Sequence, residues 1–281
     1  MLLIVRLFEI IKGKSNVPNA ILKLVNPKWW LVIKILPILA VFVAIKWVFH
    51  FYQLECLEMN AFFTSLIAAT VFLIGFLISG VLSDYKESEK IPGEIASCLD
   101  TLSDDALSVH YKKKDERVNQ LLEHIIQTQK LVIDWLYKRI PFHILLEHIE
   151  NYTEHFSKLE DLTAVNYIVK LKQEQSSLRK ILIRIQVIRD TGFVSSAYAI
   201  LETLALLIII GLLMIKIEPF YESLFFLGFV VFLILYMIML IKDLDDPFDY
   251  SEKGESPGEV ALFPIHEVKE RLDNKLRKMS E

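Results

Sequence analysis

The sequence predicts an all-α, polytopic membrane protein with four transmembrane helices and a cytoplasmic helical bundle. Three observations carry this. The 281 residues are 53% hydrophobic with a mean hydropathy of +0.40, too apolar for an ordinary soluble protein. At 23% charged, the chain is also too polar to be wholly embedded. Four apolar runs approach or exceed the ~20 residues of helix that a bilayer requires, and the long segment between the second and third has helical periodicity.

Residues 1–30 form a cytoplasmic or interfacial segment. Leu2 to Ile11 carries Arg6 and is broken by Lys12-Gly13-Lys14. It reads either as an amphipathic helix on the membrane surface or as an unstructured basic tail. Asn26-Pro27-Lys28-Trp29-Trp30 marks the interface, since tryptophan favours the headgroup level and Lys28 and Lys34 can snorkel to it. Residues 31–82 hold the first two spans. The first runs from Leu31 to Phe49 and contains Pro37. An outer loop with Glu55 and Glu58 follows, and the second span ends near Leu82. Basic residues flank the first span on its N-terminal side, and the outer loop lacks them. The positive-inside rule therefore places both termini in the cytoplasm.

Residues 83–193 form the cytoplasmic helical domain, with no convincing strand. Ile95 to Tyr111 is the first helix, broken by Lys112-Lys113-Lys114-Asp115. Val118, Leu121, Leu122, Ile125, Val132 and Trp135 mark a second, which Pro141 ends. Leu145, Ile149, Tyr152, Phe156 and Leu159 mark a third. Val165, Ile168, Leu171, Leu178, Leu182, Ile185 and Ile188 mark a long fourth, which enters the membrane region after Gly192. Residues 194–242 hold the last two spans, Ser195 to Ile215 and Leu224 to Ile241. Glu202 lies in the third and is expected near its cytoplasmic end, or facing protein or water. Residues 243–281 form a cytoplasmic tail with an amphipathic helix from Ile265 to Met279.

One face of the second span differs from the rest. Ser65, Ala68, Phe72, Phe76, Ser79 and Ser83 recur at three- and four-residue steps and share one side of a helix. Leu66, Ile67, Leu73, Ile74, Leu77 and Ile78 cover the remainder. Small residues at such spacing pack helices together in membranes. They also line pores, where phenyl rings from several subunits make an apolar constriction.

Phe72-Leu73-Ile74-Gly75-Phe76, followed after the span by Glu89-Lys90-Ile91-Pro92, resembles the second transmembrane helix of the bestrophins. The resemblance implies a homopentameric ion channel whose neck this helix lines. It places Phe72 and Phe76 at neck positions and Ala68 at a third, where the family often has a bulky aliphatic residue. Ala69 stands where the family has proline. A second likeness lies in Lys242-Asp243-Leu244-Asp245-Asp246-Pro247-Phe248-Asp249-Tyr250, which is similar to the family's acidic Pro-Phe exit from its last span. In some animal members the acidic run after Pro-Phe helps to hold calcium, which would assign Asp243, Asp245, Asp246 and Asp249 as metal ligands. Here Asp249 replaces the usual glycine, and the acidic run beyond it is thin. A turn with a solvated acidic cluster, stiffened by Pro247, is the alternative.

The chain carries no Gly-rich phosphate loop, no Gly-x-Ser-x-Gly and no Cys-x-x-Cys. His124, His143, His148 and His155 sit on charged amphipathic helices without metal-ligand spacing. Enzyme chemistry has no motif to rest on, and a net charge of -4 gives no sign of nucleic acid. The expected partners are membrane lipid, further copies of the chain and small inorganic ions, chloride or another small anion by family weight. The expected location is a plasma or inner membrane. The competing reading is a nonconducting, membrane-anchored helical scaffold or sensor that binds a protein.

Overall fold

A computed structural model of the chain describes residues 29–191, 195–250, 255 and 258–280. The expected interfacial segment before Lys28 lies outside the described residues. The chain divides into two compact units, Met1–Ser83 with Phe193–Asp245, and Asp84–Gly192 with Asp246–Glu281.

The first unit holds α1 (Trp30–Phe51), most of α2 (Ala61–Ser88), α8 (Ser195–Met214) and α9 (Phe220–Asp245). All four are long and apolar enough to cross a membrane. α1 packs on α8 and α9, and α8 packs on α9. Their shared core includes Ile35, Phe42, Ile74, Leu77, Ile208, Val231 and Ile238. Their outward faces keep Trp47, Phe51, Phe225 and Phe229 exposed. Such a surface suits lipid, where apolar side chains need no cover and helices satisfy their own backbone. Pro37 lies inside α1 without ending it. Gly211 lets α2 approach α8, because a Cβ there would lie 2.3 Å from the Phe63 ring.

Outside the bundle, where no strand was expected and none lies among the described residues, Leu57–Glu58 (β1) and Ile215–Lys216 (β2) pair in parallel. Two residues on each side are too few to show an alternating pattern.

The second unit is a helical bundle of α3 (Ile91–Lys112), α4 (Glu116–Leu136), α5 (Phe142–Glu150), α6 (Tyr152–Lys158), α7 (Val165–Asp190) and α10 (Phe263–Ser280), reached through the last turn of α2. α3 packs against α4, α7 and α10. Pro92 in its first turn needs no N–H partner there. Asp115 caps α4 by accepting from the Arg117 N–H. Pro141 does not end α4 as expected; it precedes α5. α4 stops earlier, at Leu136, in a left-handed turn at Lys138 (φ 61°). There the Arg139 N–H reaches back to the Asp134 carbonyl at 2.8 Å, and the Lys138 N–H to that of Trp135 at 2.9 Å. The expected third bundle helix is two, α5 and α6, separated at Asn151, a residue type that competes for backbone hydrogen bonds. Val165, assigned to the buried stripe of α7, is 73% exposed, whereas Ile168 through Ile185 line the core as expected.

Candidate pore face

α2 has two unlike sides. Thr70, Ile74, Leu77 and Val81 are buried in the first unit. Ser65, Ala68, Phe72, Phe76, Ser79 and Ser83 are all exposed, Phe72 at 79% and Phe76 at 70%. The flanking Leu66, Ile67, Leu73 and Ile78 are half-buried. The six residues therefore form one uncovered strip on a helix whose other side is packed. Nothing lies within 4 Å of a Cβ built on Gly75 or Gly80, so the open arc extends beside the strip. The strip carries no formal charge. Ser65 satisfies its hydroxyl on the Ala61 carbonyl at 2.8 Å, so its polarity is partly spent within the helix. Phe62, 79% exposed at the edge of this arc, is a large side chain that sequence periodicity did not single out.

α2 is 28 residues long, ~42 Å at 1.5 Å per residue, longer than a bilayer core requires. The apolar run ends near Leu82, but the helix does not. Ser88 closes its last turn by donating to the Asp84 carbonyl at 2.9 Å.

Two charged groups of the first unit, Glu202 and Lys46, are paired within protein. Glu202, costly in lipid, accepts from Lys242 at 2.7 Å across α8 and α9. At the opposite ends of these helices, Lys46 is fully buried. Its ammonium donates to the carbonyls of Leu213 (3.2 Å) and Ile215 (2.6 Å) and pairs with Glu55 at 2.7 Å.

The acidic exit after α9 is built differently from a calcium site. Among the described residues, no three His, Cys, Asp or Glu are grouped so as to hold a metal ion. Asp245 accepts from the Tyr198 hydroxyl at 3.0 Å. Asp249 pairs with the Lys138 ammonium. Asp243 is exposed on the last turn of α9, and Asp246 accepts the Asp249 N–H through its carbonyl at 3.4 Å. The residues present do not fit calcium. Phe248 and Tyr250, both fully buried, plug into the bundle core instead. The Tyr250 hydroxyl donates to the Val260 carbonyl at 2.6 Å, and the Val260 N–H to that of Pro247 at 2.9 Å. The Pro-Phe signature thus works here as an anchor for the chain leaving α9.

No family model matches the chain, and no curated protein does. Solved structures do. A crystal structure of a variant bacterial bestrophin homologue from Klebsiella pneumoniae superposes with a TM-score of 0.69 at 17% identity, covering 88% of this chain and 99% of that one. A variant of a protein described as a membrane protein matches at a TM-score of 0.70 and 16% identity, over 88% and 98% of the two chains. Another structure of the Klebsiella pneumoniae homologue matches at 0.67 and 16%, with the same coverage. The chain has a bestrophin-like fold. At such low identity the likeness extends to backbone architecture, including nearly the full length of those chains. The bestrophin-like architecture and the four apolar helices make this a helical membrane protein.

Proposed function

We propose that the chain is one subunit of a bestrophin-like homopentameric channel that conducts small anions such as chloride, with α2 lining the pore. One observation carries the reading: the six positions from Ser65 to Ser83 are uncovered together while the reverse side of α2 is buried. Five such strips around an axis make a lumen with two stacked phenyl collars, about 6 Å apart. A narrow apolar collar limits conduction by dewetting. The positive edge of a phenyl ring favours anions over cations in a lumen without formal charge. The reading places the bundle and both termini in the cytoplasm, in an inner or plasma membrane, and it involves no catalytic step and no calcium.

Purified protein in planar bilayers tests this. Wild type should pass chloride current, and Phe72→Ala/Phe76→Ala should raise conductance without loss of folded oligomer. An electrically silent wild type, with a double variant both silent and destabilised, would instead support the scaffold reading.

A further inference from the structure

Two histidines meet inside the bundle of the second unit. The rings of His124 (α4) and His148 (α5) are stacked with centroids 3.8 Å apart and planes at 21°. Both residues are buried. His124 Nε2 lies 3.0 Å from the His148 carbonyl, and His148 Nε2 lies 3.2 Å from the His124 carbonyl. A carbonyl oxygen only accepts, so each Nε2 must carry the hydrogen. That sets the same tautomer on both rings and leaves each Nδ1 as the open proton acceptor. The surroundings complete the arrangement. Thr128 donates to the His124 carbonyl at 2.8 Å, and its oxygen accepts from the Tyr152 hydroxyl at 2.7 Å and from His148 Nε2 at 3.1 Å. His155 (α6) lies against His124 at 4.6 Å, and Tyr152 meets the same ring edge-on at 4.5 Å.

Among the described residues no carboxylate pairs with either stacked ring. The charged neighbours are on α6, where Glu154 and Lys158 pair with each other at 2.6 Å. α7 presents the neutral Gln175, which donates to the Ile149 carbonyl at 2.6 Å. α10 meets α4 through the Gln129 amide and the Ile265 carbonyl. On α3, Asp105 is taken by Lys170 of α7, and Asp100 by Arg271 and Lys275 of α10. Glu123 and Glu147, on the helices of the pair itself, are exposed. An imidazolium formed in this stack would therefore face a second imidazole and a third nearby, with no counter-charge in contact.

We propose that the His124–His148 stack is a proton-binding site at which acidification opens the seam between α4, α5 and α6. Two rings 3.8 Å apart cannot both be charged, and one charged ring is unfavourable in so enclosed a place. Burial, with His148 and His155 adding, holds His124 down to about 4; burial also lowers His148 and His155. The sign follows from linkage. Folded-state values lie below unfolded ones, so the unfolded chain takes up protons first as pH falls. Stability is complete above about pH 6.5, the unperturbed histidine value, and declines as pH falls towards the folded-state value. Each such histidine withdraws up to about tenfold from the folding equilibrium per pH unit in that window.

The test uses the full chain in detergent. Melting of the bundle is compared at about pH 7.5 and about pH 5, the two sides of the window. Wild type should melt several degrees lower in acid. His124→Phe/His148→Phe, which retains two stacked rings, should lose more than about half of that difference, and His155→Gln should retain most of it. An acid-induced fall of the same size in wild type and the Phe pair overturns the proposal. Should the Phe pair fail to fold, wild type alone decides by nitrogen-15 spectroscopy of its labelled histidines. Two of the seven imidazoles should stay neutral and Nε2-protonated below about pH 6. Titration of all seven near the unperturbed value overturns the proposal.

Discussion

A lysine with no exposed surface calls for a local account. The Lys46 ammonium is enclosed by the Leu213 and Ile215 carbonyls and by Glu55, whose other oxygen takes His50 Nδ1 at 2.9 Å. The His50 ring stacks on Phe220 at 3.9 Å. One side chain near the end of α1 thereby holds the loop after it and the strand after α8. Burial pushes the Glu55 carboxyl up, but hydrogen bonds from Lys46 and His50 outweigh it and hold the group below the usual glutamate range. The sign is that of a depressed acid: its contribution is present at neutral pH and is lost as pH falls through the folded-state value. Breaking a buried pair by removing one partner leaves an uncompensated charge, which costs about 3–5 kcal/mol. Lys46→Met should therefore lower the thermal midpoint of the purified protein strongly, and Lys46→Met/Glu55→Leu should recover part of the loss. An unchanged midpoint in the single variant would contradict this account. None of this was legible in the sequence. In the sequence Lys46 is only a charge near the end of the first apolar run and Glu55 part of an acidic loop, because the carbonyls that Lys46 meets lie far along the chain and carry no residue signature.

α2 shows what a sequence discloses about an element and what it does not. Its period placed Phe72 and Phe76 on one side and Ile74 and Leu77 on the other, and the structure separates them in that way. Periodicity is legible because burial selects side chains every three or four residues. What the exposed side faces is not, since small residues suit helix packing and pore lining equally. Boundaries were also poorly legible. α2 outruns its apolar segment through polar residues that still favour helix, and α4 ends at a left-handed lysine rather than at Pro141. The stacked histidines were hidden for a similar reason: His124 and His148 each read only as residues of charged amphipathic helices, and the packing of α4 on α5 encloses them. The two sides of α2 should respond oppositely to truncation. Ile74→Ala should cost about 2–5 kcal/mol, as deletions in packed cores do, because Ile74 is only 2% exposed. Phe72→Ala removes a ring that touches little of its own chain and should leave the monomer's fold intact. Protease resistance of the two variants, compared in the same detergent, checks this. Equal loss in both would mean that the Phe72 ring is packed after all.

At the scale of the whole molecule, the question is what covers the strip from Ser65 to Ser83. Lipid would tolerate the phenyl rings, so exposure of Phe72 and Phe76 alone does not require an assembly. The serines argue further. Ser65, Ser79 and Ser83 bracket the rings on the same face, and a lipid-facing helix gains nothing from hydroxyls there, whereas a water-filled vestibule on either side of an apolar collar does. A ring of subunits with this face inward accommodates both residue types at once. We therefore expect native mass spectrometry in mild detergent to find a species of five times 32.6 kDa, and solvent access to the strip to be graded along α2. In a Cys56→Ser/Cys98→Ser background, cysteines placed at Ser79 and Ser83 should react with a membrane-impermeant thiol reagent from the side of the bundle. A cysteine at Ser65 should react from the other side, and one at Phe72 only slowly from either. The Ser65 cysteine variant carrying Phe72→Ala/Phe76→Ala should let reagent pass the collar, so that its labelling becomes possible from the bundle side. A lone chain in the mass spectrum, with the three serine positions all protected, would place the strip against lipid and remove the basis for a pore along α2.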